Sequence, residues 1–281
     1  LVWSPRSNIS LYGHTAQVTS FDRFGGIIAL GTDWTYSGSI NIVRELACAD
    51  QLNKERYDNY FSDADLWLMA TRNGAVATGT IDLIGTLEAG KVGDISVFDG
   101  RVAALYRAVI DAPAQGAVLV LRSGQPLYGE ADVVGALDAE CEAFDACGEP
   151  RALCASREYG VTFDEIMAVI PSAYPALFCD SEVPVDEPTC TPSRDGEFSG
   201  ENTADDSDGD GIPNASDNCP DVFNPIRPID GGVQPDANGD GSGDACDANP
   251  LEQDLDGDGV DNAADNCPFD ANTNQADGDG D

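Results

Sequence analysis

Gly26-Ile27-Ile28-Ala29-Leu30-Gly31-Thr32-Asp33-Trp34 is a short apolar run that ends abruptly in a carboxylate. Bounded by glycines and opened by the β-branched pair Ile27 and Ile28, it is too short for a helix and predicts a buried strand. Asp33 then sits just past the strand's C-terminal end, where parallel strands present their reactive groups because the loops there converge. The same carboxylate also suits a turn, or a cap for a helix beginning near Ser39. The run alone leaves both readings open.

Around it, the first 100 residues predict alternating strand and helix. Ala16 to Phe24 reads as a short helix, and Ser39 to Arg56 carries Ile40, Val43, Leu46 and Ala47 at helical spacing. Ser62 and Asp65 make a capping box for a helix through Leu66, Met69 and Ala70. Beyond Gly90 the period falls to two. Asp94 to Phe98 predicts a strand, and Ala117 to Leu121 with Pro126-Leu127-Tyr128 predicts a hairpin across Gly124. Ala131 to Phe144 and Phe163 to Val169 read as helices, in a segment whose main content is its cysteines. The class is α/β with a small β-domain appended.

Charge divides the chain. Residues 1–190 hold 27 acidic and 12 basic side chains, a net of −15, while residues 191–281 hold 24 and 2, a net of −22. Such a surface repels nucleic acid and anionic membrane, and no apolar run reaches the roughly 18 residues that a membrane-spanning helix needs. Small molecules and multivalent cations are the expected partners.

Cys48, Cys141, Cys147, Cys154, Cys179 and Cys190 precede the acidic tail, and Cys219, Cys246 and Cys267 lie within it. No Cys-x-x-Cys with matching histidines occurs, so disulfides in a secreted or extracytoplasmic setting, periplasm or cell surface, are expected rather than structural zinc. Pairing among the first six cannot be read from sequence. The chain is expected to be a fragment, with a partner for Cys267 beyond Asp281.

Residues 193–205 are small and polar and read as a linker. One pattern then repeats: Asp206-x-Asp208-x-Asp210-Gly211 with Asp217, Asp236-x-Asn238-x-Asp240-Gly241 with Asp247, and Asp254-x-Asp256-x-Asp258-Gly259 with Asp265. Asp277, Asp279 and Asp281 begin another copy. Each complete copy places oxygen donors at loop positions 1, 3, 5 and 12, with glycine at 6. Hard Ca²⁺ takes six to eight oxygens, and the carbonyl at position 7, from Ile212, Ser242 or Val260, adds to the set. An EF-hand fits badly, because position 12 is Asp and Asn218-Cys219-Pro220 or Asn266-Cys267-Pro268 follows where its exiting helix would run.

The Asp-Asn-Cys-Pro pieces and Gly243-Asp244-Ala245-Cys246-Asp247 closely resemble thrombospondin type 3 repeats, over residues 206–281. The resemblance implies bound calcium, a Cys219–Cys246 bridge, and a cell-surface or matrix partner for the tail.

Leu30 to Leu46 resembles the last barrel strand and following helix of the amidohydrolase superfamily of metal-dependent hydrolases. Trp3-Ser4-Pro5-Arg6-Ser7-Asn8 with Leu11-Tyr12-Gly13 looks like its preceding strand and loop. Met69 to Ala75 and Ile84 to Val97 resemble its closing helix and the strand re-entering the β-domain, with Gly93 where Ala is usual. The resemblance implies the C-terminal end of a (β/α)8 barrel plus a composite β-domain. It divides the chain into 1–135, a Cys-rich extension 136–192, the linker 193–205 and the repeat tail 206–281.

The resemblance further implies hydrolysis of a C–N bond in a non-peptide amide or cyclic amide. Asp33 would be metal ligand and proton carrier on a divalent ion, Zn²⁺ by the family's habit, with Asn8, Trp34 and Ser37 on loops facing the substrate. The single histidine, His14, falls at no ligand position of that pattern, and the family's other ligands are expected upstream of Leu1. Two functions stay open: a secreted amidohydrolase with a calcium-stiffened stalk, inactive as this fragment, or a calcium-dependent structural or adhesive module whose hydrolase part is inactive.

Overall fold

The run at 26–34 forms a strand of two residues. β2 (Ala29–Leu30) pairs in parallel with β1 (Val2–Trp3), in register Val2↔Ala29 and Trp3↔Leu30. The computed structural model describes residues 1–101, 103–113, 116–170, 184, 186–254, 256–261, 264–267 and 271–276. Ile28, Ala29 and Leu30 are buried, whereas Ile27 is 49% exposed. The ladder is short because Pro5, which has no N–H to give a neighbouring strand, opens helix α1 (Pro5–Tyr12) two residues after Trp3. Trp3 is fully buried, and its indole Nε1 donates to Thr15 Oγ1 at 2.6 Å.

Helix α2 (Val18–Arg23) precedes β2, and α3 (Ile42–Arg56) follows it. The cap of α3 is Asn41, whose side chain accepts from Arg44 N, so Asp33 does not cap it and the helix begins three residues after the expected start at Ser39. Ser39 is instead buried and accepts from Arg6 Nε at 2.8 Å. On α3, Leu46, Cys48, Ala49 and Leu52 are buried while Val43 and Ala47 are half-buried. The Ser62–Asp65 capping box forms in both directions and starts α4 (Asp63–Met69). After α5 (Arg72–Ala77), α6 (Arg107–Ile110) packs Ile110 against α3 and α4.

The second sheet contains β3 (Ile95–Phe98), β4 (Ala117–Arg122), β5 (Gln125–Glu130), β6 (Glu142–Ala146) and β7 (Glu149–Leu153), antiparallel in the order β3-β4-β5-β7-β6. The expected β4–β5 hairpin turns at Ser123-Gly124, both left-handed. The helix expected over Ala131 to Phe144 is half right. Only α7 (Ala131–Leu137) is helical, and residues 142–146 form a strand returning through a second left-handed pair, Cys147-Gly148. The open edge of β5 draws β7 into the sheet, and the Cys141–Cys154 bridge ties the hairpin's ends. The extension after residue 135 therefore adds strands to the sheet as well as cysteines. Short helices α8 (Ala155–Tyr159) and α9 (Phe163–Val169) follow, the latter where sequence placed it.

Cys48 and Cys190 are bridged across 142 residues of sequence, and Cys147 is also disulfide-bonded. Cys179 lies outside the described residues. The stretch read as a linker is packed rather than extended. Ser193 N donates to Gly13 O at 2.8 Å, Arg194 bridges to Phe198, and buried Phe198 meets Phe223 edge-on at 5.4 Å. One apolar cluster consequently runs from Trp3, Leu46, Leu52 and Leu66 through Cys190 and Phe198 to Cys219, Val222, Phe223 and Ala245. The acidic tail is too polar to build a core and shares the one beside it.

Glu45 is fully buried on α3, its Oε1 accepting from Arg6 N at 3.2 Å. Arg6 and Arg44 pair with Glu187 at 3.4 and 2.5 Å. Burial raises the Glu45 carboxyl to about 7 despite its hydrogen bonds and Arg6. A raised acid is bound to its proton more tightly when folded, so the stability it contributes is full below pH 4.5 and is lost as pH rises towards about 7. Glu45→Gln should therefore be more stable than the parent at pH 8, by about 3 kcal/mol, and nearly equal to it at pH 5. Urea melts at the two pH values check this; a difference independent of pH would mean that Glu45 is ionised at no cost.

Candidate functional site

Asp33 stands where the strand reading put it, three residues past β2, in a left-handed conformation (φ 55) and exposed. Its Oδ2 accepts from Ser7 Oγ at 2.7 Å, and Ser7 Oγ lies 3.0 Å from Ser37 Oγ. The loop closes beneath it through Ser39 N to Thr32 O at 3.2 Å and Gly38 N to Trp34 O at 2.6 Å. Gly38 has to be glycine, because a Cβ there would overlap the Thr32 carbonyl.

The substrate residues inferred from resemblance divide. Trp34 is 65% exposed and meets the Tyr36 ring at a 53° tilt with centroids 4.8 Å apart, beside Asp33. Ser37 is buried beneath the loop, and Asn8 lies on α1 rather than on a loop, its Oδ1 accepting from Thr15 Oγ1 at 3.2 Å. Asn8 is helical because Pro5 starts a helix where a loop was expected. His14 Nδ1 lies 3.0 Å from the Thr15 carbonyl. A cavity of about 140 Å³ lined by Ile27, Ile28, Phe61 and Met69 sits at the opposite, N-terminal end of β2.

Among the described residues, sets of three acid, His or Cys ligand atoms within 4.8 Å of one another occur at Asp206/Asp208/Asp210, at Asp254/Asp256/Asp258, and at Asp138/Cys141/Cys154, whose sulfurs are bonded to each other. None includes Asp33. One carboxylate does not hold a catalytic metal, so these residues do not by themselves fit that group.

The acidic loops are built alike. Asp206 Oδ1 and Oδ2 accept from Gly209 N and Gly211 N at 2.8 and 3.0 Å; Asp236 does the same with Gly239 and Gly241, and Asp254 with Gly257 and Gly259. Both glycines of each loop have positive φ, between 75 and 95°. The glycine at position 4 was missed from sequence, although Asp-Gly-Asp-Gly announces it. The position-7 residues Ile212, Ser242 and Val260 are held by their N–H groups, each donating at 2.8 Å to the acid at position 5. Fourteen residues after that acid, Asn224 N and Asn272 N donate to Asp210 Oδ2 and Asp258 Oδ2. Asp217 and Asp265 are each held by a glutamine, Gln234 and Gln275, at 2.7 and 2.8 Å. The equal spacing of Asn224 and Asn272 was a sequence signal that was missed; the glutamines, 17 and 10 residues from their acids, gave no such signal. Asp277, Asp279 and Asp281 lie outside the described residues.

Every loop shows oxygens in want of a positive charge. Asp208, only 1% exposed, has its Oδ2 buried without a hydrogen-bond partner, as are the Oδ2 atoms of Asp217, Asp256 and Asp265. Burial, with the neighbouring carboxylates adding to it, pushes Asp208 up to about 9; burial likewise pushes Asp210 up to about 7 and raises Asp217. In the second loop Asn238 Nδ2, which has two hydrogens, is surrounded by four acceptors: Asp240 Oδ2, Asp247 Oδ2, Asn249 O and Glu252 O at 3.0 to 3.3 Å. Such oxygen crowding without counter-charge is the donor set that a hard cation takes, and these residues fit calcium. Cys219 and Cys246 are bridged, as the repeat resemblance implied.

Residues 14–134 match the amidohydrolase family model, and residues 194–227 and 235–275 match the thrombospondin type 3 repeat. A 5-methylthioadenosine/S-adenosylhomocysteine deaminase from Teredinibacter turnerae is 35% identical over 102 residues, which are 35% of this chain and 23% of that protein. Among solved structures, a zinc-bound adenosine deaminase from Xanthomonas campestris aligns at 26% identity and TM-score 0.39, over 44% of this chain and 30% of its own. E. coli guanine deaminase aligns at 19% identity and TM-score 0.40, over 46% and 33%. The chain thus spans about a quarter to a third of the relatives it matches. It joins a segment with the amidohydrolase family pattern, residues 14–134, to a tail of thrombospondin type 3 repeats, residues 194–227 and 235–275.

Proposed function

We propose that this chain belongs to an exported hydrolase acting on the C–N bond of a small, non-peptide amide, cyclic amide or related ring substrate, and that its tail is a calcium-loaded stalk. Residues 1–135 supply the closing part of a (β/α)8 barrel and its β-domain. Asp33 is their contribution to a divalent-metal centre, Zn²⁺ by resemblance, whose remaining donors lie outside this chain. The family match over residues 14–134 and the deaminase relative support C–N hydrolysis, and the lack of any acid, His or Cys ligand set around Asp33 among the described residues supports an incomplete centre. What these residues do themselves is positional: Ser7, backed by Ser37, fixes the carboxylate on a loop locked by Gly38, with Trp34 beside it.

Bound calcium would supply the positive charge that neutralises the buried acids of the tail. The observation that carries this reading is the unpartnered Oδ2 of buried Asp208, repeated at Asp217, Asp256 and Asp265. Side chains of Asp206, Asp208, Asp210 and Asp217, of Asp236, Asn238, Asp240 and Asp247, and of Asp254, Asp256, Asp258 and Asp265 would hold the ions, with the carbonyls of Ile212, Ser242 and Val260. Disulfides and repeats favour a secreted or surface location, where millimolar calcium suits such sites.

Calorimetric titration with CaCl₂ should register binding. Chelation should speed proteolytic cleavage between residues 206 and 265 by about tenfold or more. Silent calorimetry together with chelator-independent proteolysis would leave the tail a plain acidic spacer. For the enzyme half, Asp33→Ala in this chain should move Tm by less than about 3 °C, since the side chain is exposed. In a longer polypeptide with a complete centre the same change should lower kcat by a factor on the order of 10³, with much less effect on substrate binding. Near-normal turnover there would reduce Asp33 to a turn residue.

A further inference from the structure

We propose that the first acidic loop is also a clamp on helix α3, so that calcium bound between Asp206 and Asp217 orders the last turn of α3 through Arg56. The proposal rests on the reading of that loop as a calcium site. Arg56 ends α3, is 5% exposed, and reaches away from its own helix. Its Nη1 donates to Asp208 O at 2.9 Å and to Asn202 Oδ1, and its Nη2 donates to Gly200 O. Its own carbonyl, one of the acceptors that a helix end leaves without an internal partner, receives Phe223 N at 2.8 Å. The C-terminus of α3 is therefore capped by the tail, from both sides of the loop.

Asp208 is where the two functions meet. Its backbone carbonyl takes Arg56, its Oδ1 takes Asp210 N at 3.1 Å, and its buried Oδ2 has no partner. Without a cation the carboxylates of Asp206, Asp208 and Asp210 repel one another at close range, and relaxing that repulsion moves the Asp208 peptide away from Arg56. The fit leaves no slack: a Cβ on Gly209 would lie 3.0 Å from Gly200 C and 3.2 Å from Arg56 Nη1. The Cys48–Cys190 bridge keeps the tail beside α3, so the clamp re-forms as an intramolecular contact. Among the described residues, the hydrogen bonds of loop 254–265 stay within the tail, which makes that loop an internal control.

Hydrogen exchange of the full chain, read on the α3 amides from Asp50 to Tyr57 with and without CaCl₂ and paired with calorimetry, tests the clamp. Calcium should slow that exchange by about tenfold or more. R56A should reduce the response to below about twofold while calorimetry still records binding. D208N should abolish it, and D256N in the third loop should leave it intact. Should R56A fail to fold, R56K keeps the charge without the fork that reaches several acceptors, and should show the same loss. Binding by calorimetry with α3 exchange unmoved would overturn the clamp alone. So would a wild-type response in R56A or R56K, or loss of the response in D256N. Absence of any binding would overturn the calcium reading and the clamp together.

Discussion

Burial of negative charge without enough positive charge is the constraint to which the rest of the structure answers. Residues 191–281 carry 24 acids against 2 basic residues, yet Asp208 and Asp210 are 1% and 2% exposed. Each buried, unpartnered carboxylate oxygen costs about 1–3 kcal/mol, and close like charges add to that cost. A random acidic spacer avoids the cost by staying extended. Here the backbone amides of Gly209, Gly211 and their equivalents, the bridge Cys219–Cys246 and the side chains of Gln234 and Gln275 draw the acids into closed loops.

The same constraint explains why the tail is docked. A segment with so little to bury cannot hold itself together, so Phe198, Val222 and Phe223 enter the cluster that α3 shares with Trp3 and Leu66. The contact is reinforced where polar groups meet, by Arg56 on the tail's carbonyls and by Arg23 Nε on Ala245 O at 3.2 Å. Further up α3, a second buried polar set joins Arg6, Arg44, Glu45 and Glu187. The helix is thus a strut with a polar junction at each end, one to the segment before Cys190 and one to the repeats.

Asp33 belongs to a different economy of charge. It is exposed, left-handed and held by a serine, whereas acids of the tail such as Asp208 and Asp210 are buried among one another. Gly38 closes its loop, a serine pair holds one carboxylate oxygen, and an exposed indole lies alongside.

Much of this was legible in the sequence because it depends on residues close together in the chain. Period-two runs, capping boxes and Asp-Gly spacing specify local geometry, and β3, the β4–β5 hairpin, α4, α9 and the three acidic loops follow from them. The Asp-x-Asp-x-Asp-Gly pattern indicated both the clustering of oxygen donors and the need for glycine. What depends on distant partners was not legible. Residues 142–146 form a strand because β5 leaves an edge for β7 to join, and no local property of Glu142 to Ala146 records that. Asn8 became a helix residue because Pro5 starts α1, and Ser39, expected to begin α3, lies outside that helix and meets Arg6. The polar stretch 193–205 is ordered by one phenylalanine finding another 25 residues on, and Arg56 is a junction only because the chain folds back across it. Local hydrogen bonding and side-chain period could be read from neighbours in sequence; which buried charge met which partner was decided by packing between segments far apart in the chain.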